Sequence, residues 1–166
     1  MAEGARSAIT ISVLGLLLAL AAVWGWSAVT DPLPAKVDTP ICVDRAVEAG
    51  TKVFAEDVTV SVFNAGIREG LAGRTMQLLT DDGFAEGTMG NVSARVGVVQ
   101  IWTLDPQSPA VRLVASRLGT GVDIERREPP GVGVAVVVGD AFTDLAKGRR
   151  SVVAEDDATI CSPPIG

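Results

Sequence analysis

The chain has 166 residues, a formal net charge of −6 and a sequence pI near 4.6, a length that allows one domain plus accessory segments. It contains no histidine and no tyrosine; without histidine it lacks the commonest general base, the commonest zinc ligand and every Ser–His or Cys–His pair. The acidic balance, with no basic stripe interleaved with aromatics, excludes nucleic acid as a partner.

Eleven arginines against three lysines, amid abundant Gly, Ala, Val and Asp, reflect a GC-rich genome rather than a function. From Ser7 to Thr30 no residue is charged, and 11–23 is nearly all aliphatic. A helix over those residues would reach about 36 Å, enough for a hydrocarbon core of roughly 30 Å. Trp24 and Trp26 fall near its C-terminal end, where indoles prefer the interface. Residues 1–7 are therefore expected as a cytoplasmic N-terminus and 8–30 as a single transmembrane anchor, with the bilayer as a partner. A cleaved signal peptide competes, but its apolar stretch should be shorter and end in a small-x-small site. Trp-Ser-Ala at 26–28 puts an indole where a small residue is wanted. Arg6 and the terminal amine precede the span and Asp31 follows it, a small bias that places the N-terminus inside.

Residues 31–41 carry three prolines and read as a stiff spacer. The folded part is expected over 42–161, followed by a 162–166 tail. Its two cysteines, Cys42 and Cys161, stand near its two ends, and in an exported chain they most simply pair. Such a link closes a loop that contributes about 4–5 kcal/mol in the chain-entropy model. Two free thiols in a reducing compartment are the alternative.

Ala46 to Glu56 is polar and reads as irregular or a short helical turn. Val58 to Asn64 alternates, with Val58, Val60 and Val62 on one face, and predicts a strand. The run breaks at Ala65-Gly66. A helix is predicted from about Arg68 to Asp82, with Ile67, Leu71, Thr75, Leu78 and Leu79 on one side and Gly83 as its stop. Gly70 and Gly73 would each cost that helix about 1 kcal/mol against alanine, which close packing on a sheet would justify. Phe84 to Val92 predicts a weak edge strand, and Val98 to Leu104 a strong one. Ser108-Pro109 supplies an N-cap and first-turn pair for a helix bearing Val111, Val114, Ala115 and Leu118 and stopping at Gly119. Val122 to Glu128 reads as a polar edge strand closed by Pro129-Pro130. Val132 to Val138, nearly all apolar, reads as a strand covered on both faces. Asp140 would cap a last short helix carrying Phe142 and Leu145; no element is predicted from there to Cys161.

The expected fold is α/β (α+β): a two-layer β-α-β-β-α-β-β sandwich with a mixed sheet, helices mainly on one face. The 58–64, 98–104 and 132–138 strands should be central and the two polar ones at the edges.

The sequence Val-Phe-Asn-Ala-Gly within 58–84, followed by Arg-Glu-Gly-Leu-Ala and a helix ending in Asp-Gly-Phe, resembles the LytR C-terminal domain. Val-Val-Val-Gly-Asp-Ala-Phe-Thr-Asp-Leu at 136–145 is similar to that domain's ending. The resemblance covers about residues 42–161. It implies an α/β accessory domain of small anchored actinobacterial and cell-wall proteins, with no established catalytic residues and a role in the cell envelope. Nothing resembles the phosphotransferase domain that accompanies this module in wall ligases.

The candidate binding residues are Asn64, Gly66 and Arg68, where a strand ends and a helix begins and backbone N–H groups can face an anion. They could hold a carbohydrate hydroxyl or a lipid phosphate. In the structural alternative Asn64 satisfies the turn and Gly66 supplies an unusual φ. Asp81-Asp82 and Asp156-Asp157 read as solvated acids, not a catalytic dyad. Gly131-Val-Gly133 precedes a strand and so fails as a dinucleotide fingerprint. Asn91-Val-Ser93 matches the glycosylation pattern by chance, and Arg126-Arg127 and Arg149-Arg150 read as surface.

No catalytic residue, metal or cofactor is expected. The leading expectation is a non-catalytic envelope protein that binds a wall glycan or lipid, or scaffolds envelope proteins. The alternative is a carboxylate-dependent enzyme acting on a glycan or lipid-linked precursor. A third reading is assembly through the anchor, where Ala21 and Gly25 give small-xxx-small spacing.

Overall fold

The computed structural model describes residues 13–26 and 40–164, which fall in two units, Met1–Asp38 and Thr39–Gly166. In the first unit, residues 13–26 form a helix with every residue exposed. Among the described residues, no helix is long and apolar enough to cross a membrane. The rest of the expected 8–30 anchor, the 1–7 segment, the spacer as far as residue 39 and residues 165–166 of the tail lie outside the described residues.

The second unit is built on a five-stranded mixed sheet. Its strands are β3 (Thr59–Asn64), β4 (Ala85–Asn91), β5 (Val99–Thr103), β6 (Val122–Arg126) and β7 (Val134–Val138), in the order β4-β3-β7-β5-β6. Helix α1 (Leu71–Asp81) links β3 to its parallel neighbour β4, and α2 (Pro109–Leu118) links β5 to its parallel neighbour β6. The two crossovers meet at β7, parallel to β3 and antiparallel to β5. The centre and edges of the sheet are those expected: β3, β5 and β7 carry the Val and Ile runs, and the polar β4 and β6 close the two sides.

Alternation along each strand sorts the core into two layers. Val60 and Val62, Val99 and Ile101, and Val134, Val136 and Val138 face the helices, where Leu71, Met76 and Leu79 of α1 and Val111, Leu113, Val114 and Leu118 of α2 pack. On the other face Phe63, Trp102, Ala135 and Val137 are covered by Val92, Ala94 and Val96 from the segment after β4. Both helices thus lie on one face, while a loop seals the other. That is why all five residues of β7 are buried.

Two short antiparallel ladders complete the unit: β1 (Val43–Val47) with β9 (Ala158–Ser162), and β2 (Lys52–Phe54) with β8 (Ser151–Val153). They correct the reading of 46–56 as irregular and of the last residues as without structure; the helical turn in the first segment is a single 3-10 turn, Ala55–Asp57. The β1–β9 ladder pairs residues 111 to 119 apart in the chain and the β2–β8 ladder residues 97 to 101 apart, so no local turn signal announces them. The Cys42–Cys161 disulfide locks the first, with Cα atoms 5.5 Å apart.

Three local expectations also change. Helix α1 begins at Leu71, because Gly70 sits at its N-cap in the left-handed region with φ 72°. Ile67 therefore leaves the helix face and is 93% exposed, and Met76 takes a core place instead. A Cβ at either Gly70 or Gly73 would meet nothing within 4 Å, so close packing does not explain them. The stop at Gly83 holds, with φ 98°, Phe84 N–H donating to Leu79 O and Gly83 N–H to Thr80 O, a Schellman closure. The short helix expected after Asp140 does not form. That stretch has no regular structure among the described residues and is tied down instead by α2, through Ala146 N–H to Arg117 O at 2.7 Å and Arg149 N–H to Ser116 Oγ at 3.0 Å. Arg117 also pairs with Asp82 at 2.9 Å.

Candidate functional site

The loop after β3 is built from its own polar groups. The Asn64 side-chain oxygen accepts the Gly66 N–H at 2.8 Å, and its amide nitrogen donates to Arg68 O at 2.8 Å, an Asx turn closed on both sides. The backbone N–H groups of Ile67 and Arg68 do face an anion, but it is the Asp140 carboxylate, at 2.9 and 3.0 Å. The Arg68 guanidinium in turn donates to Asp140 O and Phe142 O at 2.9 and 3.0 Å. Gly66 is not at a positive φ. It is needed for room, since a Cβ there would run into the Asp140 carboxylate. Asn64, Gly66 and Arg68 are thus brought together, as expected, and the groups in them suited to an external anion are engaged with the end of β7.

A second site escapes sequence reasoning. Where the β1–β9 ladder faces the C-terminal end of β5 and the first turn of α2, an open cleft of about 660 Å³ runs between Leu104, Val132 and Val134 on the sheet side and Thr159, Ile160 and the disulfide on the other. Asp44 and Asp105 stand on it. Two smaller depressions, of about 250 and 590 Å³, adjoin it, and Asp105 lines all three. Glu48, Glu155, Asp156 and Asp157 line these extensions, and no lining residue of the three is basic. Arg112 reaches Glu155 at 2.7 Å. Ser108 and Pro109 do open α2, but the Ser108 side chain makes no cap bond. It lines two of the depressions while its residue is only 8% exposed. The one sequence signal was the acidic run at 155–157; its meeting with Asp44 and Asp105 depends on the β1–β9 pairing.

The other singled-out residues are mostly structural. Asp81 accepts from Gln77, Asp82 pairs with Arg117, and Asp157 accepts the Ala49 N–H at 2.9 Å. Arg127 stacks on Trp102, its guanidinium carbon 4.0 Å from the ring centroid. Arg149 contributes its carbonyl to Arg117. Among the described residues, no group of three or more His, Cys, Asp or Glu comes together as a metal site.

No curated protein matches the chain. Among solved structures, it is similar to the soluble domain of a conserved hypothetical secreted protein, an Rv2700 ortholog, from Mycobacterium marinum, at 23% identity and a TM-score of 0.47, over 61% of this chain and 68% of that one. The family model described as LytR cell envelope-related transcriptional attenuator (LytR_C) matches residues 57–142, more than half of the chain, from the approach to β3 to the buried Phe142, and the chain belongs to that family.

Proposed function

We propose that the chain is a non-catalytic, membrane-anchored envelope protein, with its N-terminus in the cytoplasm and the 42–161 domain outside. It supports envelope integrity by binding a wall or lipid component or by scaffolding other envelope proteins. Membership of a cell envelope-related family supports the setting, and the Cys42–Cys161 disulfide suits an oxidising compartment. The Cys42 lead-in, Arg68-x-Gly-Leu-Ala and the closing Cys161 look like those of the actinobacterial envelope-integrity protein Cei.

The observation that carries the binding reading is the open, mixed apolar and polar cleft beside the disulfide, since recognition clefts combine apolar lining with a few placed polar groups. The test is rescue of envelope-stress sensitivity in a deletion strain of the parent bacterium. The full chain should rescue and a chain ending at residue 41 should not; rescue by the truncated chain would place the function outside the domain.

A carboxylate-dependent enzyme acting on a glycan or lipid-linked precursor is the second reading, favoured by Asp44 and Asp105 on one cleft. A catalytic carboxylate is lost at a cost of orders of magnitude, whereas one contact among several costs a few-fold. Asp105→Asn should therefore leave substantial rescue; complete loss in a folded protein would favour the enzyme.

A further inference from the structure

The three depressions that meet at Asp105 form one trough with an uneven set of complements. Its lining carboxylates are Asp44 and Asp105 in the main cleft and Glu48, Glu155, Asp156 and Asp157 beyond it; no lining residue is Lys or Arg, and among the described residues only Glu155 of the six is ion-paired, with Arg112. The first turn of α2 lines two of the three depressions, the main cleft through Ala110 and Val111 and the smallest through Pro109. Ala110 and Val111 have N–H groups of the kind a helix leaves without an intrahelical acceptor, and the Ser108 side chain does not cap them. Ser108 itself is more than nine-tenths buried, lines two of the three depressions and makes no side-chain hydrogen bond among the described residues. Leu104, 63% exposed, and Val132, 37% exposed, give the main cleft an apolar wall.

We propose that this trough binds an extended, positively charged peptide segment of a partner protein, its main-chain carbonyls taken by the first turn of α2 and Ser108 and its basic side chains by the surrounding carboxylates. The inference rests on reading the domain as a binding module and names the partner of its cleft. Only a peptide supplies all three complements together. A phosphate or other anion would take the helix N–H groups but meet the carboxylates at close range. A bare cation would find no three-ligand cluster among the described residues and would oppose the positive end of the helix. A basic peptide presents carbonyl acceptors every residue, Lys or Arg donors beside them, and an apolar side chain for the Leu104–Val132 wall.

The test uses the full chain in nanodiscs of zwitterionic lipid and three probes: a random hexapeptide pool of Leu, Pro, Lys and Arg, the matching pool of Leu, Pro, Asp and Glu, and a soluble chitooligosaccharide. The basic pool should bind, and added salt should weaken it. Asp44→Asn, Asp105→Asn and Asp157→Asn together should weaken it by about tenfold or more, while the amides keep the acceptor oxygens that Gln107 and Ala49 use. Asp123→Asn with Glu125→Gln removes charge from residues that line none of the depressions and should leave binding within about twofold. Ser108→Ala should cost about fivefold with an unchanged melting temperature. Equal weakening by the remote pair would reduce the binding to bulk charge and overturn the trough, as would capture of the acidic pool or the sugar in place of the basic pool. A chain that rescues the deletion strain yet binds no basic peptide would sink this inference and leave the binding-module reading standing.

Discussion

Arg68 and Asp140 hold each other twice, each giving its side chain to the other's main chain. The Arg68 N–H donates to the Asp140 carboxylate at 3.0 Å while the Arg68 guanidinium donates to the Asp140 carbonyl at 2.9 Å. The two residues follow the C-terminal ends of the parallel neighbours β3 and β7, so this reciprocal clamp welds the sheet at its centre. It also fills the anion position that the strand-end loop would otherwise offer.

The clamp predicts a non-additive pair. Asp140→Ala removes the acceptor of the Ile67 and Arg68 N–H groups and should cost about 1–2 kcal/mol, the lower part of the range for charged hydrogen bonds because solvent can replace it. Gly66→Ala should be destabilising in the wild type, where its Cβ meets the carboxylate, and clearly less so in the Asp140→Ala background, where the residue-140 backbone nitrogen, 3.0 Å from that Cβ, is the near contact left. Urea unfolding of the four proteins checks it; additive costs would mean that Asp140 does not set the requirement for glycine.

The two glycines of the α1 region should respond with opposite signs. Gly73 lies in the helix with open space about it, so Gly73→Ala should stabilise by about 1 kcal/mol. Gly70 is equally open but sits at φ 72°, so Gly70→Ala should destabilise by roughly 1 kcal/mol through left-handed strain. Thermal midpoints that move in the same direction would contradict this assignment.

Reduction should act far beyond the cysteines themselves. The link spans 119 residues and pins β1 to β9, the ladder that forms one wall of the cleft. Loss of about 4–5 kcal/mol is expected from chain entropy alone. Hydrogen exchange after reduction should rise first in residues 43–47 and 158–162; a uniform rise over the sheet would show that the ladder does not open by itself. Non-reducing peptide mapping of envelope-purified protein should recover Cys42 joined to Cys161.

Orientation is checked from outside the cell. A cysteine introduced by Ala35→Cys, in the expected spacer, should react with an impermeant maleimide on intact spheroplasts. Protection until lysis would reverse the assigned topology.

Much of the fold is readable along the chain because its signals are local. Val60 and Val62 alternate with Ser61 and Phe63, and Val111, Val114 and Leu118 recur at helical spacing; each pattern reports one residue's neighbours two or four places away. Even the central place of β7 follows from its unbroken valines, since a strand apolar on both faces must be covered on both. The errors share one cause. Periodicity places Ile67 on a helix face, but Gly70 in the left-handed region ends that continuity, and residue type makes Asp140 a helix cap although its carboxylate has a partner more than seventy residues back.

The sequence alone thus determined the seven-element core, its helix stops at Gly83 and Gly119, and the central strands, because alternation, helical period and glycine at a helix end act within a few residues. The cysteine positions could suggest a pair. Only the tertiary structure decided the strand order, the β1–β9 and β2–β8 ladders, the anchoring of the Asn64–Arg68 loop to Asp140 and the cleft around Asp105. Backbone N–H and C=O groups are the same in every residue except proline, which lacks the N–H, so a ladder between distant segments leaves little mark on either one. Which carboxylates then share a cleft is settled by that pairing, and by nothing written beside them in the chain.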